Sequence, residues 1–373
     1  MSRRRLRGRL PVLLVVLASA CGGPILAVPP ADRPTSPPSS ASPSAVDDPV
    51  PVTLPADDAP HRRLTEWWYY TGHLRDDAGR RWGFEFVVFR AERGQLPVAW
   101  ASHLAFTDER DGMFVYDQRS EVGGTADRSA GADAGFDFAL TTPTVDGTTA
   151  AWEMRGSDGS DHLTAAIDGG PGLELALETE RSPVLHDHDG WVDFGPAGGS
   201  YYYSRTRMTA RGAIEIDGRR RPVDGIAWFD HQWGDFISVG GSGWDWFAVN
   251  LDDGTDLTLS LVRDADGSTS LVYGTLVGAD GRSRHLARDA FRVTATGEWT
   301  SPRTRARYPA GWLIEVPGEA LRIDLRPTLA DQELDTRAST GVVYWEGSQV
   351  VNATRAGSPV GGEGYVELTG YTG

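Results

Sequence analysis

Hydrophobic and polar positions along this chain alternate in short runs and nowhere sustain the helical period. The runs at 84–89, 163–167, 173–177, 213–216 and 257–262 are alternating or β-branched, the period-two pattern of a strand with two unlike faces. Asp-Gly occurs ten times between positions 111 and 281, and this dipeptide suits the positive φ angles of a type I′ hairpin turn. The pattern predicts an all-β chain of antiparallel hairpins. Closing the sheets into barrels would remove their exposed edges.

One aromatic-rich pattern occurs twice, about 177 positions apart. Glu66-Trp67-Trp68-Tyr69-Tyr70 leads into Leu74-Arg75-Asp76-Asp77 and a strand-like stretch at 82–90. Gly243-Trp244-Asp245-Trp246-Phe247 leads into Leu251-Asp252-Asp253-Gly254 and a second stretch at 257–263. A repeat of this length predicts two successive β-barrels, over 61–236 and 237–373. Heavy aromatics on the opening strand of each predict walls around an apolar space, inside or between the barrels.

The N-terminus reads as an address. Five arginines within 2–9 precede a short apolar run at 10–20, too short for a stable membrane span and suited to a signal peptide. Leu17-Ala18-Ser19-Ala20-Cys21-Gly22 resembles a bacterial lipobox, and Cys21 is the chain's one cysteine. The expected outcome is cleavage before Cys21, lipidation of its thiol, and an extracytoplasmic protein anchored to the cell membrane; the alternative is an ordinary secretory signal with an incidental cysteine. Residues 22–60 hold eleven prolines among many Ser, Ala and Asp, so 21–60 reads as a disordered tether.

Removing residues 1–20 takes away five arginines and no acids, leaving 31 basic against 52 acidic residues and a mature charge near −21. That excludes nucleic acid as a partner, and anionic lipid as a docking surface beyond the anchor. The chain has no lysine, which removes Schiff-base chemistry.

The densest polar-aromatic cluster is Trp228-Phe229-Asp230-His231-Gln232-Trp233-Gly234-Asp235. An imidazole and carboxylates beside indoles can move protons in an apolar cavity; the same residues can instead cap a turn or satisfy backbone at a barrel corner. Acids adjoin indoles at Glu66, Asp245 and Glu346, and strand alternation lets each acid face solvent while its indole faces the core. Tyr201 and Tyr203 share a face and either line a cavity or pack the core. His186-Asp187-His188-Asp189 has metal-ligating residue types but reads as a solvated turn ending at Gly190, so neither a metal nor a cofactor is expected. A Gly-x-Ser-x-Gly elbow, a His-Glu-x-x-His helix and a P-loop are all missing from the sequence.

Several motifs, taken in order, resemble one family: 66–74 (EWWYYTGHL), 229–234 (FDHQWG), 243–247 (GWDWF), 331–334 (DQEL), 344–347 (YWEG) and 364–371 (GYVELTGY). This is the AttH/carotenoid 1,2-hydratase family of lipocalin-like proteins, and the likeness spans roughly 61–373. It implies two lipocalin-like barrels. Family members are often called predicted secreted hydrolases, and fungal relatives of the fold include pericyclases. In the carotenoid hydratase branch the Asp-His-x-Trp-Gly segment is linked to catalysis, which points to His231 and Trp233 with Asp230 beside them. The Tyr-x-Asp pair of that branch has no counterpart downstream of Trp233.

Two functions follow as expectations. In the first, a hydrophobic small molecule is hydrated or hydrolysed by His231 with Asp230 or Glu66, and Trp67, Trp68, Tyr201, Tyr203, Trp244, Trp246, Trp345 and Glu346 line its site. In the second, the barrels carry an apolar molecule without changing it, as an accessory lipoprotein of an ABC-type transporter.

Overall fold

A computed structural model describes residues 48–131, 134–143, 149–195, 198–236, 241–264 and 266–372. The signal segment, Cys21 and the tether as far as residue 47 lie outside the described residues, as does the expected start of the second barrel at residue 237. Among the described residues there are strands, turns and isolated 3-10 turns, with no α-helix.

The first sheet is built from β1 (Thr65–Arg75), β2 (Arg81–Ala91), β3 (Ala99–Asp108), β4 (Met113–Val122), β5 (Phe136–Pro143), β6 (Thr149–Ser157), β7 (Ser160–Ala166), β8 (Gly172–Thr179), β9 (Val184–Leu185), β10 (Trp191–Asp193), β11 (Gly199–Ile216) and β12 (Arg219–Gly234). Its order is β4-β3-β2-β1-β12-β11-β8-β7-β6-β5, and β9 and β10 also pair with β11. The ends curl until β4 meets β5, giving a nearly closed barrel around Trp68, Tyr70, Phe84, Phe86, Trp152 and Phe229.

The second sheet follows with β13 (Gly241–Leu251), β14 (Asp256–Asp264), β15 (Thr269–Val277), β16 (Ser283–Leu286), β17 (Arg292–Ala295), β18 (Glu298–Thr300), β19 (Arg307–Pro309), β20 (Trp312–Val316), β21 (Leu321–Pro327), β22 (Glu333–Asp335), β23 (Val343–Arg355) and β24 (Ser358–Thr369). Its order is β16-β15-β14-β13-β24-β23-β21-β20-β17, with β22 on β23 and β18–β19 as a separate hairpin. Phe247, Trp312, Ile314, Ile323, Trp345 and Val366 fill it. All pairings in both sheets are antiparallel, so the chain is all-β with two successive barrel-like sheets.

The repeated motif explains how the sheets meet. At the offset of 177 positions Trp67 matches Trp244 and Tyr69 matches Trp246. All four residues leave the barrel interiors and pack together between the sheets. Trp67 and Trp244 stack with centroids 6.4 Å apart and planes 9° apart, and Tyr69 meets Trp246 edge-on at 5.4 Å. Close approach is permitted at Gly83, where a Cβ would lie 2.7 Å from the Tyr365 hydroxyl and 2.8 Å from Cβ of Ser348. Polar ties cross the same interface: Thr107 Oγ1 donates to Gln332 Oε1 at 2.7 Å, and Asp256 accepts from Arg181 at 2.9 Å and Arg207 at 2.6 Å.

Residues 48–60, expected as the end of a disordered tether, are instead packed onto the first barrel. The turn Ala56–Asp58 puts Asp58 at 0% exposure. Both its oxygens accept from Arg205, at 2.7 and 2.8 Å, and its backbone carbonyl accepts from the Trp68 indole at 3.0 Å. A buried charge persists only when paired and hydrogen-bonded. Arg205 lies 147 positions away, so proline content alone gives the wrong answer for this segment.

Candidate functional site

Strand alternation decides which side chains can act together, and it separates Asp230 from His231. On β12, Phe229, His231 and Trp233 point into the first barrel, while Trp228, Asp230 and Gln232 point toward the second sheet. On β1, Glu66, Trp68 and Tyr70 take the barrel side and Trp67 and Tyr69 the interface side. Two buried polar clusters result, back to back across one layer of strands.

The interface cluster surrounds a cavity of about 80 Å³. That is room for several waters or a compact ligand group. Half-buried Trp67, Phe89, Phe194 and Trp244 form its rim, and Glu85, Val87, Tyr202, Asp230 and Tyr344 its buried floor. Glu367 also lines it, and Glu346 stands beside it, accepting from the Tyr69 hydroxyl at 2.9 Å. Glu346 and Glu367 are register partners on β23 and β24, which places two carboxyls of one sign side by side.

Hydrogen-bond donors sort these acids. Asp230 accepts from Tyr202 at 2.7 Å, from the Trp228 indole at 2.7 Å and from the Ser204 hydroxyl. Burial drives its pKa up and these donors hold it back, leaving it at about 6. Glu85 accepts from Tyr344 at 2.8 Å, and its Oε2 is buried without a partner. Burial pushes Glu85 up to about 8, against the Tyr344 bond and with help from Glu367. Burial, with Glu367 and Glu85 adding their charges, keeps Glu346 well above the carboxylate range. Glu367 reaches about 7, burial outweighing the 2.9 Å bond from the Trp244 indole. At neutral pH the site therefore holds an ionised carboxylate close to protonated carboxylic acids, the division of labour that acid–base chemistry needs. Behind Tyr344 lies His103, whose Nδ1 is 2.7 Å from the phenol oxygen; burial drives this imidazole down to about 3, so it is neutral.

The cluster inside the first barrel is built differently. Glu66 Oε1 lies 2.7 Å from His61 Nδ1 and 2.9 Å from His231 Nε2, and Oε2 accepts the His61 backbone N–H at 2.9 Å. Burial would raise Glu66, but the His61 charge and the two imidazole bonds outweigh it and hold the carboxyl below its ordinary value. Burial alone would lower His61; Glu66, aided by Asp57, carries it instead to about 9. Burial outweighs Glu66 at His231, whose pKa is lowered. Rings of Trp68 and Trp233 cover His231 at 4.6 Å each.

Of the residues expected to form one site, Asp230, Trp67, Trp244 and Trp246 line the cavity and Glu346 adjoins it. Glu66, His231, Trp68, Trp233, Tyr201 and Tyr203 belong to the first barrel, and Trp345 to the core of the second with its indole bonded to the Ala330 carbonyl. Of the two partners expected for His231, Glu66 meets it and Asp230, on the opposite face of β12, does not. For the three consecutive tyrosines, the cavity takes Tyr202. Asp245 faces away from its flanking indoles as expected, but is partly buried on Arg263 and on Tyr371 at 2.9 Å. His186 does not belong to a solvated turn: it is buried between the sheets, bridging Ser204 at 2.6 Å and Thr275 at 3.0 Å. Glu85 and Tyr344 were not singled out from sequence as site residues. A signal existed for Glu85: its face of β2 continues through Val87 and Phe89, and a strand apolar on both faces has no solvent side.

Comparison with known proteins agrees with this architecture. The AttH-like family model matches residues 45–371. A protein assigned as AttH from Nitrosomonas europaea has a TM-score of 0.72 at 30% identity, covering 86% of this chain and 98% of that one. Kievitone hydratase from Nectria haematococca superposes with a TM-score of 0.66 at 16% identity, covering 86% and 94%. The protein CghA, bound to Sch210972, gives 0.55 at 16% identity, covering 83% and 90%. No curated protein matches the chain.

Proposed function

The chain belongs to the AttH-like family, and on that footing we propose that it binds an apolar, unsaturated small molecule in the interface cavity and adds water across a carbon–carbon double bond. The observation that carries this reading is the set of carboxyls with raised pKa facing indole walls. Glu85 gives its proton to one alkene carbon. The resulting cation is stabilised by the faces of Trp67, Trp244 and Trp246. Water attacks the cation and forms the C–O bond, and Asp230 takes the proton that water releases. Proton exchange through solvent then resets both carboxyls. No metal or cofactor is invoked. The fold it shares with kievitone hydratase supports the reaction class.

The carrier reading, with an ABC-type transporter as partner, rests on the same cavity and is separated from catalysis by one experiment. Purified protein is incubated with prenylated phenols and linear isoprenoids in heavy-oxygen water, and products are read by mass spectrometry. Incorporation of the label that disappears in Asp230→Asn supports the enzyme. Stoichiometric recovery of an unchanged molecule supports the carrier.

We also propose that a lipid on Cys21 holds the folded part on the outer side of the bacterial cell membrane, supported by the arginine-rich leader, the apolar run and the acidic mature chain. Loss of detergent partitioning in Cys21→Ser checks it.

A further inference from the structure

The cluster of His61, Glu66 and His231 is unused by the reaction above and has the make-up of a metal centre. Its three donor atoms, Nδ1, Oε1 and Nε2, lie within 4.8 Å of one another. Two imidazoles and a carboxylate are the donor set of catalytic zinc and of related divalent ions. The donors are also pre-positioned. Glu66 and His231 project from the paired strands β1 and β12 into the same barrel, both at 0% exposure. His61 arrives on the leading segment, which Asp58 pins to Arg205. It is further fixed by its backbone bond to Glu66 and by stacking flat on Trp233, with centroids 4.2 Å and planes 1° apart.

The outer nitrogens supply an independent observation. In metal centres a ligating histidine holds a carboxylate, carbonyl or similar group on its second ring nitrogen, which fixes the ring. Here His61 Nε2 lies 3.4 Å from Asp57 Oδ1, and His231 Nδ1 lies 3.3 Å from the Tyr203 hydroxyl, which itself bonds Asp58. Every member of the trio thus has its ligand atom turned inward and its remaining atom occupied.

We propose that His61, Glu66 and His231 bind a divalent transition-metal ion of the zinc type at the mouth of the first barrel. The ion replaces the proton shared between His61 and Glu66. Ligand atoms around a tetrahedral zinc stand about 3.3 Å apart, given bonds of about 2.0–2.1 Å, so the two contacts at 2.7 and 2.9 Å must open by roughly half an ångström. His61, partly exposed on the leading segment, yields at the first contact, and a small rotation of the Glu66 carboxyl opens the second. Binding couples the leading segment to the barrel, and it weakens in acid because protons compete for both imidazoles.

The test uses the full chain, treated with chelator and titrated with Co²⁺. Visible d–d absorption should grow to saturation at one equivalent and collapse when Zn²⁺ is added, and Zn²⁺ should raise the melting temperature. His61→Ala and Glu66→Gln should weaken binding by about 100-fold or more, and Tyr203→Phe, which keeps all three ligands, by about 10-fold. His188→Ala should bind as wild type; it disrupts the other candidate trio, Asp187, His188 and His285. Absence of Co²⁺ bands in the wild type overturns the proposal. So do bands that persist in folded His61→Ala or Glu66→Gln protein, or that vanish in His188→Ala. If His61→Ala fails to fold, Glu66→Gln and Tyr203→Phe still decide the matter.

Discussion

The two sides of the β1–β12 ribbon border equally buried glutamates in opposite protonation states: Glu66 of β1 on one side and, around the interface cavity, Glu85 of β2 and Glu346 of β23 on the other. On the barrel side, Glu66 has two imidazoles and a backbone N–H around it and stays ionised. On the interface side, Glu85 and Glu346 each have one phenol donor and one unpartnered oxygen, and stay protonated. Burial is common to both faces, so it does not by itself set the charge. The number of donors and the sign of the nearest charge do. One face therefore builds ion pairs that hold the chain together, and the other keeps a neutral acid ready to give up a proton.

The largest expected effect breaks the ionised side. Arg205→Ala strands Asp58 as a buried, unpaired charge and should cost about 3–5 kcal/mol in urea unfolding at neutral pH. Loss of less than 1 kcal/mol would mean that the leading segment contributes little to stability. On the interface side, Asp230→Asn should lower turnover of a hydrated alkene by about 10²–10⁴-fold, with the far-UV spectrum unchanged. His231→Ala should lower it by less than about tenfold, because His231 sits on the other face. The reverse order would move the chemistry into the first barrel.

The neutral acids also set the pH dependence of stability. Their folded pKa values lie above the unfolded ones, so the native state binds more protons between the two. Their contribution is complete below the unfolded value, near 4.5, and is lost as pH rises through about 7 to 8; Asp230 adds the same behaviour from 3.8 to about 6. Glu85→Gln removes one such group, so the variant should be more stable than wild type at pH 8 and should lose less stability than wild type between pH 5 and 8 in urea unfolding. The smallest effect sharpens the assignment of the base. Tyr202→Phe deletes a donor that favours ionised Asp230, so the acidic limb of the pH–rate profile should move up by about 0.5–1 unit. The alkaline limb, set by Glu85, should stay in place.

Much of this architecture was legible in the chain. Asp-Gly turns, alternating runs and the aromatic repeat predict two antiparallel barrels, and the repeat also marks the strands that meet at the interface. Parity was legible too, since Tyr201 and Tyr203 do share a face. What the pattern cannot supply is which face borders a cavity, because both faces of β1, β2, β11 and β12 are buried here, one by the barrel core and one by the second sheet. The same ambiguity put Trp68 and Trp345 in the expected site; for Glu85, the apolar residues on both faces of β2 exclude a solvent side without marking which face borders the cavity. The anchoring of residues 48–60 depends on a pair far apart in sequence, Asp58 with Arg205. Local composition holds no trace of such a contact.

The most direct test of the central claim is a carbon-13 NMR titration of protein labelled at the glutamate side-chain carboxyls, in wild type, Glu85→Gln and Glu346→Gln. The account predicts glutamate resonances that titrate at or above neutral pH and disappear one at a time in the two variants. If every glutamate carboxyl in the folded wild type is ionised by about pH 5, there is no neutral acid at the interface and the proposed chemistry falls.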